Sequence, residues 1–151
     1  MTVRRISADD WRDWRTIRIR SLTEAPEAFV PKLAGVDDRE AAWRSRIDAA
    51  LACWIAYDED QPVGMVAADP MDDGRVQLAS MFVGAEARGR GMGSALIGEV
   101  IRAAEDRALF LRVKADNEAA LSLYAHTGFV ATHTPPDADG CLTMSFRRAT
   151  G

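Results

Sequence analysis

The hydrophobic positions of the chain follow two periods, and the first of them indicates strands. Short apolar or alternating runs recur between clusters of Asp, Gly and Pro, as expected for strands that are separated by turns. Two of these runs flank the turn Asp58–Pro62 and predict a hairpin. The predicted strands are Val3–Ile6, Cys53–Tyr57, Val63–Ala68, Val76–Val83, Leu109–Val113, Phe129–Thr132 and Leu142–Phe146.

The second period is helical and occurs in four segments. Apolar residues recur at helical spacing in 11–22 and 37–50, and an apolar stripe over Leu96–Ala104 follows a glycine-rich segment. A fourth helix is expected to begin after Asn117, which can cap it, and to end at Gly128. The order β-α-α-β-β-β-α-β-α-β-β predicts an α/β (α+β) fold, with a mixed sheet flanked by helices.

Length and composition narrow the class of protein. The 151 residues, 48% hydrophobic and 28% charged, predict one globular domain over residues 1–151. A net charge of −4 and a pI of about 5.2 disfavour a nucleic-acid partner. We expect a cytoplasmic protein without a membrane partner, because the N-terminus does not resemble a signal peptide and the apolar run Ala49–Tyr57 is too short to cross a bilayer.

The two cysteines do not have the spacing of a metal site. Cys53 lies in an apolar strand and is predicted to be a buried, inert thiol. A disulfide between Cys53 and Cys141 is an open alternative, although no feature of the sequence indicates an oxidising compartment. We therefore expect no bound metal.

The segment between the fourth predicted strand and the third helix is rich in glycine and arginine. Gly89, Gly91 and Gly93 alternate with other residues and lead directly into the helix. Glycine lets backbone N–H groups approach an anion closely, and a helix N-terminus carries roughly half a positive charge. Arg88 and Arg90 add full charges. The pattern therefore predicts a site for a pyrophosphate group.

Two common glycine loops are excluded by their spacing. A dinucleotide-binding turn requires G-x-G-x-x-G, but counting from Gly89 places Ser94 at the third glycine position. A P-loop requires G-x-x-x-x-G-K followed by Ser or Thr, and this chain has Arg90 and Gly91 at the lysine and hydroxyl positions. A glycine-rich turn without a ligand is still an alternative at this point.

The pattern that the segment does meet is R-x-x-G-x-G, with Arg88, Gly91 and Gly93. Here the chain resembles the GNAT superfamily of N-acetyltransferases, in which this loop joins the fourth strand to the third helix. Downstream, Asn117 begins N-x-x-A and Tyr124 lies in L-Y-x-x-x-G-F, which is similar to a second motif of that superfamily. As alternatives, Asn117 is only a helix cap and Tyr124 only a core residue.

The resemblance covers nearly the whole chain, including R-x-x-x-L-x-x-x-P-x-A-F from Arg18 to Phe29. It implies a GNAT-like, mostly antiparallel sheet and acetyl-CoA as cosubstrate. Asn117 is then expected to contact the pantetheine arm, and the Tyr124 hydroxyl to lie near the thioester sulfur. The residues expected to bind acetyl-CoA are Met81, Phe82, Val83, Arg88, Gly89, Arg90, Gly91, Met92, Gly93, Ser94, Asn117 and Tyr124.

The resemblance also implies a reaction. The acetyl group of acetyl-CoA would move to a primary amine of a small molecule or peptide by direct attack on the thioester. Backbone N–H groups near Phe82 and Val83 would polarise the carbonyl, and Tyr124 would be the catalytic residue that protonates the leaving thiolate. The alternative is a non-catalytic CoA-binding sensor, which would keep the glycine loop without needing Tyr124.

The general base and the acceptor are left open by the sequence. Many relatives carry Glu near the start of the central strand, where this chain has Gln77, which is not a useful proton acceptor; His133 is unsupported as a substitute. Two acidic loops, Asp69–Gly74 and Thr134–Gly140, are ordinary turns or, alternatively, attract a cationic amine. The oligomeric state, with a homodimer as one alternative, and the length of the acyl donor stay open as well.

Overall fold

The computed structural model describes residues 1–148, and its strands form one seven-stranded sheet. The strands are β1 Thr2–Ile6, β2 Ala52–Asp58, β3 Gln61–Pro70, β4 Val76–Val83, β5 Leu109–Lys114, β6 Phe129–Ala131 and β7 Cys141–Phe146. They lie in the order β1-β2-β3-β4-β5-β7-β6. Neighbouring strands are antiparallel except β4 and β5, which are parallel. The expected mixed, mostly antiparallel sheet is confirmed.

The helices occur where the apolar stripes predict them, and the expected element order is confirmed. They are α1 Trp11–Glu24, α2 Glu40–Ala49, α3 Met92–Ala104 and α4 Glu118–His126. Helix α2 is shorter than the predicted segment 37–50. Asp38 instead accepts hydrogen bonds from the Arg15 guanidinium, at 2.6 and 2.8 Å, and from Trp43 Nε1 at 3.0 Å. The residues before α2 thus connect it to α1.

Helices cover both faces of the sheet, so the core has two layers. One layer lies against α3 and α4, where Leu96, Ile97 and Val100 are buried. The other lies against α1 and α2, where Trp14 and Ile17 are buried. Side chains of β2 alternate between the two layers, as the two-residue period of a strand requires, which explains why this strand is apolar almost throughout.

Strands β4 and β5 are paired only at their beginnings. Within residues 1–148, their parallel register runs from Val76 opposite Leu109 to Leu78 opposite Leu111 and then stops. The β3–β4 register also shifts beside this point, and Ser80 has a left-handed backbone with φ of 55°. A bulge of this kind bends a strand. The second half of β4 is therefore separated from β5, and a gap opens in the middle of the sheet.

Candidate active site

A cleft of about 640 Å³ lies where β4 and β5 separate. Its walls come from the second half of β4, the end of β5, the beginning of α4 and the segment after α1. About half of the residues that the sequence assigns to acetyl-CoA binding line it. They are Met81, Phe82, Val83, Arg88, Asn117 and Tyr124.

The other residues of that predicted set, 89–94, follow Arg88 in the chain. They form an exposed turn and then the first turn of α3. Within residues 1–148, the backbone N–H groups from Gly89 to Ser94 donate to no other protein group. The first bond into the helix is from Ala95 N–H to Gly91 O, at 3.0 Å. A row of free N–H groups at a helix N-terminus is a site for an anion such as a pyrophosphate.

Gly89 and Gly91 are needed for the backbone conformation of this turn. Their φ angles are +75° and +78°, a region that residues with a Cβ rarely adopt. A Cβ at either position would meet no atom within 4 Å, so space is not what selects glycine here. Turns that contain left-handed residues can bring successive N–H groups to one concave surface, which is the kind of backbone that binds phosphate in many proteins.

The turn is fixed to α1 by Arg20, a residue that the sequence analysis missed. Its Nη1 and Nη2 donate to the Glu86 carboxylate at 2.5 and 2.6 Å, and its Nε donates to Glu24. The guanidinium lies directly against Gly84, where a Cβ would stand 2.6 Å from Nη2. An R-x-x-x-E pair within α1 is visible in the sequence, but its contact with Glu86 depends on the tertiary fold.

Asn117 both caps a helix and lines the cleft. Its Oδ1 accepts a hydrogen bond from Ala120 N–H at 3.2 Å, so it caps α4 as the sequence predicts. The same residue lines the cleft opposite β4. Asn117 is therefore a helix cap, and the capping hydrogen bond holds its side chain at the wall of the cleft.

Tyr124 follows two turns later on α4 and is buried, with 7% of its surface exposed, while lining the cleft. Its ring packs edge-on against Phe129, with centroids 5.8 Å apart. Among the described residues, its hydroxyl has no hydrogen-bond partner. Burial raises the pKa of Tyr124 above its ordinary value of 10. A protonated phenol therefore stands ready as a donor in the cleft.

Comparison with known proteins agrees with this geometry. A family model described as the acetyltransferase (GNAT) family matches residues 8–129. The chain belongs to this family. The match includes the glycine-rich turn, Asn117 and Tyr124, and it ends at Phe129.

Individual relatives within the family are distant. The chain is 29% identical to mycothiol acetyltransferase of Clavibacter sepedonicus over 147 residues, which is 95% of this chain and 44% of that protein. It is 35% identical to N-acetyltransferase 8F1 of Mus musculus over 121 residues, 74% of this chain and 54% of that protein. The chain thus spans about half of the length of the curated relatives that it matches.

Solved structures share the GNAT fold at low identity. The structure of yncA from Salmonella typhimurium with its cofactor acetyl-CoA has a TM-score of 0.77 at 16% identity, covering 99% of this chain and 95% of that one. The GNAT domain of PAT from S. lividans has a TM-score of 0.76 at 18% identity, covering 95% and 88%. These similarities show the fold.

The cleft contains neither of the two residues that the sequence analysis weighed as a base. Gln77, at the usual position of the GNAT base, and His133 are not among the described residues that line the cleft. The cleft does contain Glu27, an exposed carboxylate on the 3₁₀ turn Pro26–Ala28 after α1. The sequence analysis did not single out Glu27, because it occupies an unspecified position of the family pattern, between Pro26 and Ala28.

The two acidic loops do not have the positions expected if they attracted a cationic amine to the cleft. Neither loop lines the cleft within residues 1–148. Asp69 pairs with Arg46, and Asp73 with Arg75. In the second loop, Arg112 pairs with both aspartates, Asp137 and Asp139. The structure therefore supports the interpretation of both loops as turns, because most of their negative charge is neutralised locally.

The remaining expectations concern metals, disulfides and membranes. Within residues 1–148, no group of three or more His, Cys, Asp or Glu side chains is arranged to hold a metal ion. Cys53 and Cys141 are both buried and free. Burial raises the pKa of Cys53 to about 12, so little thiolate is present at neutral pH. The prediction that Cys53 is buried is confirmed. In the same residues, no helix has the length and apolar character needed to cross a bilayer.

Proposed function

We propose that residues 1–151 act as one N-acetyltransferase domain, which moves the acetyl group of acetyl-CoA to a primary amine of a small molecule or peptide. One observation carries the proposal. The free N–H groups of residues 89–94 lie at the end of β4 that also borders the cleft containing Tyr124. An anion site and a buried proton donor thus share one continuous surface.

The residues of this surface suit a long, phosphorylated cosubstrate. We assign the pyrophosphate to the N–H groups of residues 89–94, with Arg88 and Arg90 neutralising its charge. Arg88 is already oriented, because its Nε donates to Val83 O at 3.1 Å. The pantetheine arm would lie in the gap between β4 and β5, where Asn117 lines the opposite wall.

Acetyl-CoA, when bound, supplies the thioester carbonyl that the amine attacks. The edge of β4 around Phe82 and Val83 faces the gap without a neighbouring strand. Backbone N–H groups at such an edge stabilise the negative charge that develops on the carbonyl oxygen, in the manner of an oxyanion hole. We assign this role to the main chain of residues 82 and 83.

Tyr124 is assigned to the leaving group. Burial raises the pKa of Tyr124, so the phenol stays protonated at neutral pH and can donate a hydrogen bond to the sulfur as it becomes a thiolate. The raised pKa also makes the phenol a weaker acid. The net proton transferred to the thiolate then comes from the nitrogen of the acceptor, with Tyr124 stabilising the charge while the carbon–sulfur bond breaks.

No dedicated base is assigned. Gln77 cannot accept a proton, and we propose that the acceptor reacts as the neutral amine. Its ammonium proton passes to water at the open side of the cleft before attack. A base acting through water would be Glu27, because its carboxylate is at the rim of the cleft and exposed to solvent.

A CoA-binding sensor is the second candidate, because the turn at residues 89–94 would serve it equally well. Tyr124 favours the enzyme, since a sensor does not need a buried phenol beside the cleft. The names of the relatives, which are acetyltransferases, support the enzyme as well. Two free, buried cysteines support a reducing compartment, and we propose a cytoplasmic location.

A thermal-shift experiment with acetyl-CoA, ATP and NAD in parallel tests the ligand. At about 100 times its dissociation constant, acetyl-CoA should stabilise the fold by roughly 2.7 kcal/mol, whereas ATP and NAD should give smaller shifts. Absence of any shift with millimolar acetyl-CoA would contradict the proposal. An equal shift with all three ligands would indicate a general polyphosphate site.

A further inference from the structure

Two arginine side chains from α1 and α2 come together beside the cleft. The Arg18 guanidinium lies over the ring of Phe29, with Cζ 4.8 Å from the centroid, and Phe29 lines the cleft. Arg46 Nη2 lies 3.5 Å from Ser80 Oγ on β4, and Ser80 lines the cleft as well. Neither arginine is itself among the described residues that line the cleft, but each contacts a residue that does, Arg18 through Phe29 and Arg46 through Ser80.

Arg18 has no partner for its charge. Arg18 is half-buried; within residues 1–148, its side chain donates no hydrogen bond, and only its Nη1 is both buried and without a partner. Burial, with a smaller contribution from the charge of Arg46, lowers the pKa of Arg18 to about 10. Burying a guanidinium without an acceptor is costly, and proteins normally pair such a group with a carboxylate. An unpaired one is typical of a binding site whose ligand supplies the acceptor.

The neighbouring charges do not compensate Arg18. Arg46 is occupied by Asp69, with contacts of 2.7 Å from Nη1 to Oδ1 and 3.1 Å from Nη2 to Oδ2. Asp69 therefore neutralises Arg46 only, and within the described part of the chain the positive charge of Arg18 stays without a carboxylate partner. The described residues offer no further hydrogen-bond acceptor to Arg18.

Ser80 adds a separate indication that this wall is functional. Its φ of 55° is strained for a residue with a Cβ, and the register of β3 with β4 shifts around it. Glu59 and Glu105 share this conformation in ordinary turns, but Ser80 lies within a strand, where such strain is costly and is concentrated at functional sites. The strain is at the one residue of β4 whose hydroxyl approaches Arg46.

We propose that the acceptor amine also carries a carboxylate, which binds to Arg18 beside Arg46 and Ser80. This inference rests on the proposed function and names the class of acceptor: amino acids or compounds with an amino-acid end, rather than polyamines or simple alkylamines. A planar guanidinium recognises a carboxylate through parallel N–H···O bonds. The carboxylate would neutralise the positive charge of Arg18 and hold the amine at the cleft.

Substrates matched in shape test the proposal. A panel of amino acids is assayed for CoA release together with the amide and the decarboxylated amine of each. The best carboxylate-bearing acceptor should have a kcat/KM at least about 10-fold higher than either counterpart without the carboxylate, since a hydrogen-bonded charge pair is worth about that factor. Equal or better use of the counterparts without a carboxylate would overturn the proposal.

Variants of two arginines on the same helix assign the effect. Arg18→Met should abolish the preference for the carboxylate, and Arg18→Gln serves if that variant is insoluble. Arg12→Met is the matched control, because Arg12 is an exposed arginine of α1 that lies over Trp11. It should keep the preference. Retention of the full preference by Arg18→Met would overturn the assignment.

Two binding measurements separate this inference from the proposed activity. If Arg18 served only the fold, Arg18→Met would lower Tm; if it awaits a ligand, removing the unpaired charge should leave Tm unchanged or raise it. In the presence of CoA, amino acids should raise the Tm of the wild type more than their amides do. The absence of that difference overturns the carboxylate site even if no acceptor is turned over.

Discussion

Gly93 packs directly against Leu123. A Cβ at Gly93 would stand 3.0 Å from Leu123 Cδ2, closer than most Cβ atoms approach a neighbour, so the Leu123 side chain would have to shift. Gly93 lies in the first turn of α3, beside the free N–H groups, whereas Leu123 is on α4 next to Tyr124. This contact therefore fixes the distance between the predicted pyrophosphate site and the predicted proton donor. The glycine is required for packing between helices, and not only for the approach of an anion.

The first prediction concerns that contact. Gly93→Val should lower Tm even without ligand, because the larger side chain forces α3 and α4 apart, at a cost of about 1–3 kcal/mol. Gly98→Ala on the same helix is the matched control, since only the flexible end of Arg102 is nearby, at 3.7 Å. It should raise the unfolding free energy by up to about 1 kcal/mol. Equal Tm values for both variants would contradict the packing role.

The second prediction concerns Tyr124. Tyr124→Phe keeps the packing on Phe129 and removes the hydroxyl, so the single-turnover rate should fall about 10²-fold with little change in the KM for acetyl-CoA. Tyr57→Phe is the control, because Tyr57 donates to Asp13 at 2.7 Å and does not line the cleft. Its rate should equal that of the wild type. An unchanged rate for Tyr124→Phe would remove the phenol from the mechanism.

The pH dependence of the same step has a defined sign. Burial raises the pKa of Tyr124 above 10, so the protonated donor persists to a higher pH than an exposed tyrosine would allow. Up to pH ~10, the pH profiles of the single-turnover rate should therefore have the same shape for the wild type and for Tyr124→Phe. A decline centred below that value and lost in the variant would show that the phenol ionises earlier.

Much of the fold was predictable because its signals are local. The apolar stripe of α3, the Asn117 cap and the two-residue period of β2 each specify their own element, and all three were predicted correctly. The resemblance to the GNAT superfamily then predicted that the sheet is mostly antiparallel. The start of α2 was predicted three residues early, because Asp38 interacts with Arg15 of another helix, and such a contact leaves no periodic signal.

The parts of the site that were missed depend on contacts between distant segments. Arg20 was one of many arginines in α1, and only the fold brings it to Glu86. Likewise, the sequence shows Arg18 as part of a family pattern but not that its guanidinium is unpaired. The bulge at Ser80, which accompanies the separation of β4 from β5, has no signal in the residues of β4.

The third prediction uses Arg20 and Glu86. Hydrogen bonds from Arg20 lower the pKa of Glu86 from 4.5 to about 2. A carboxyl group whose pKa is lower in the folded state than in the unfolded state stabilises the fold fully at a pH above its unfolded-state pKa. This stabilisation is lost as the pH falls toward its folded-state pKa. Urea unfolding between about pH 5 and 2 should therefore give a flatter acid limb for Glu86→Gln than for the wild type.

A double-mutant cycle provides the control for this pair. Arg20→Met also removes the pair with Glu24, so its own effect is at least as large as that of Glu86→Gln. Adding Glu86→Gln to it should have little further effect on the acid limb, since the Arg20–Glu86 interaction is already gone. Additive effects of the two substitutions would mean that Glu86 is not stabilised through Arg20.

The fourth prediction concerns the second acidic loop. Asp137 accepts N–H bonds from Asp139 and Cys141 and pairs with Arg112, so Asp137→Asn should lower Tm. It should leave the salt dependence of kcat/KM for the acceptor unchanged, because the loop does not line the cleft. Asp72→Asn, an exposed residue of the other loop, should change neither quantity. If kcat/KM for the acceptor no longer depended on salt in Asp137→Asn, the loop would have a role in attracting the acceptor.

The most direct test of the central claim is the release of CoA thiol by the wild-type chain in the presence of acetyl-CoA and a panel of primary amines, with mass analysis of the products. We expect thiol release to require both acetyl-CoA and an amine, and the product to carry one acetyl group on nitrogen. Stabilisation by acetyl-CoA without amine-dependent thiol release from any member of the panel would contradict an acetyltransferase and favour a CoA-binding sensor.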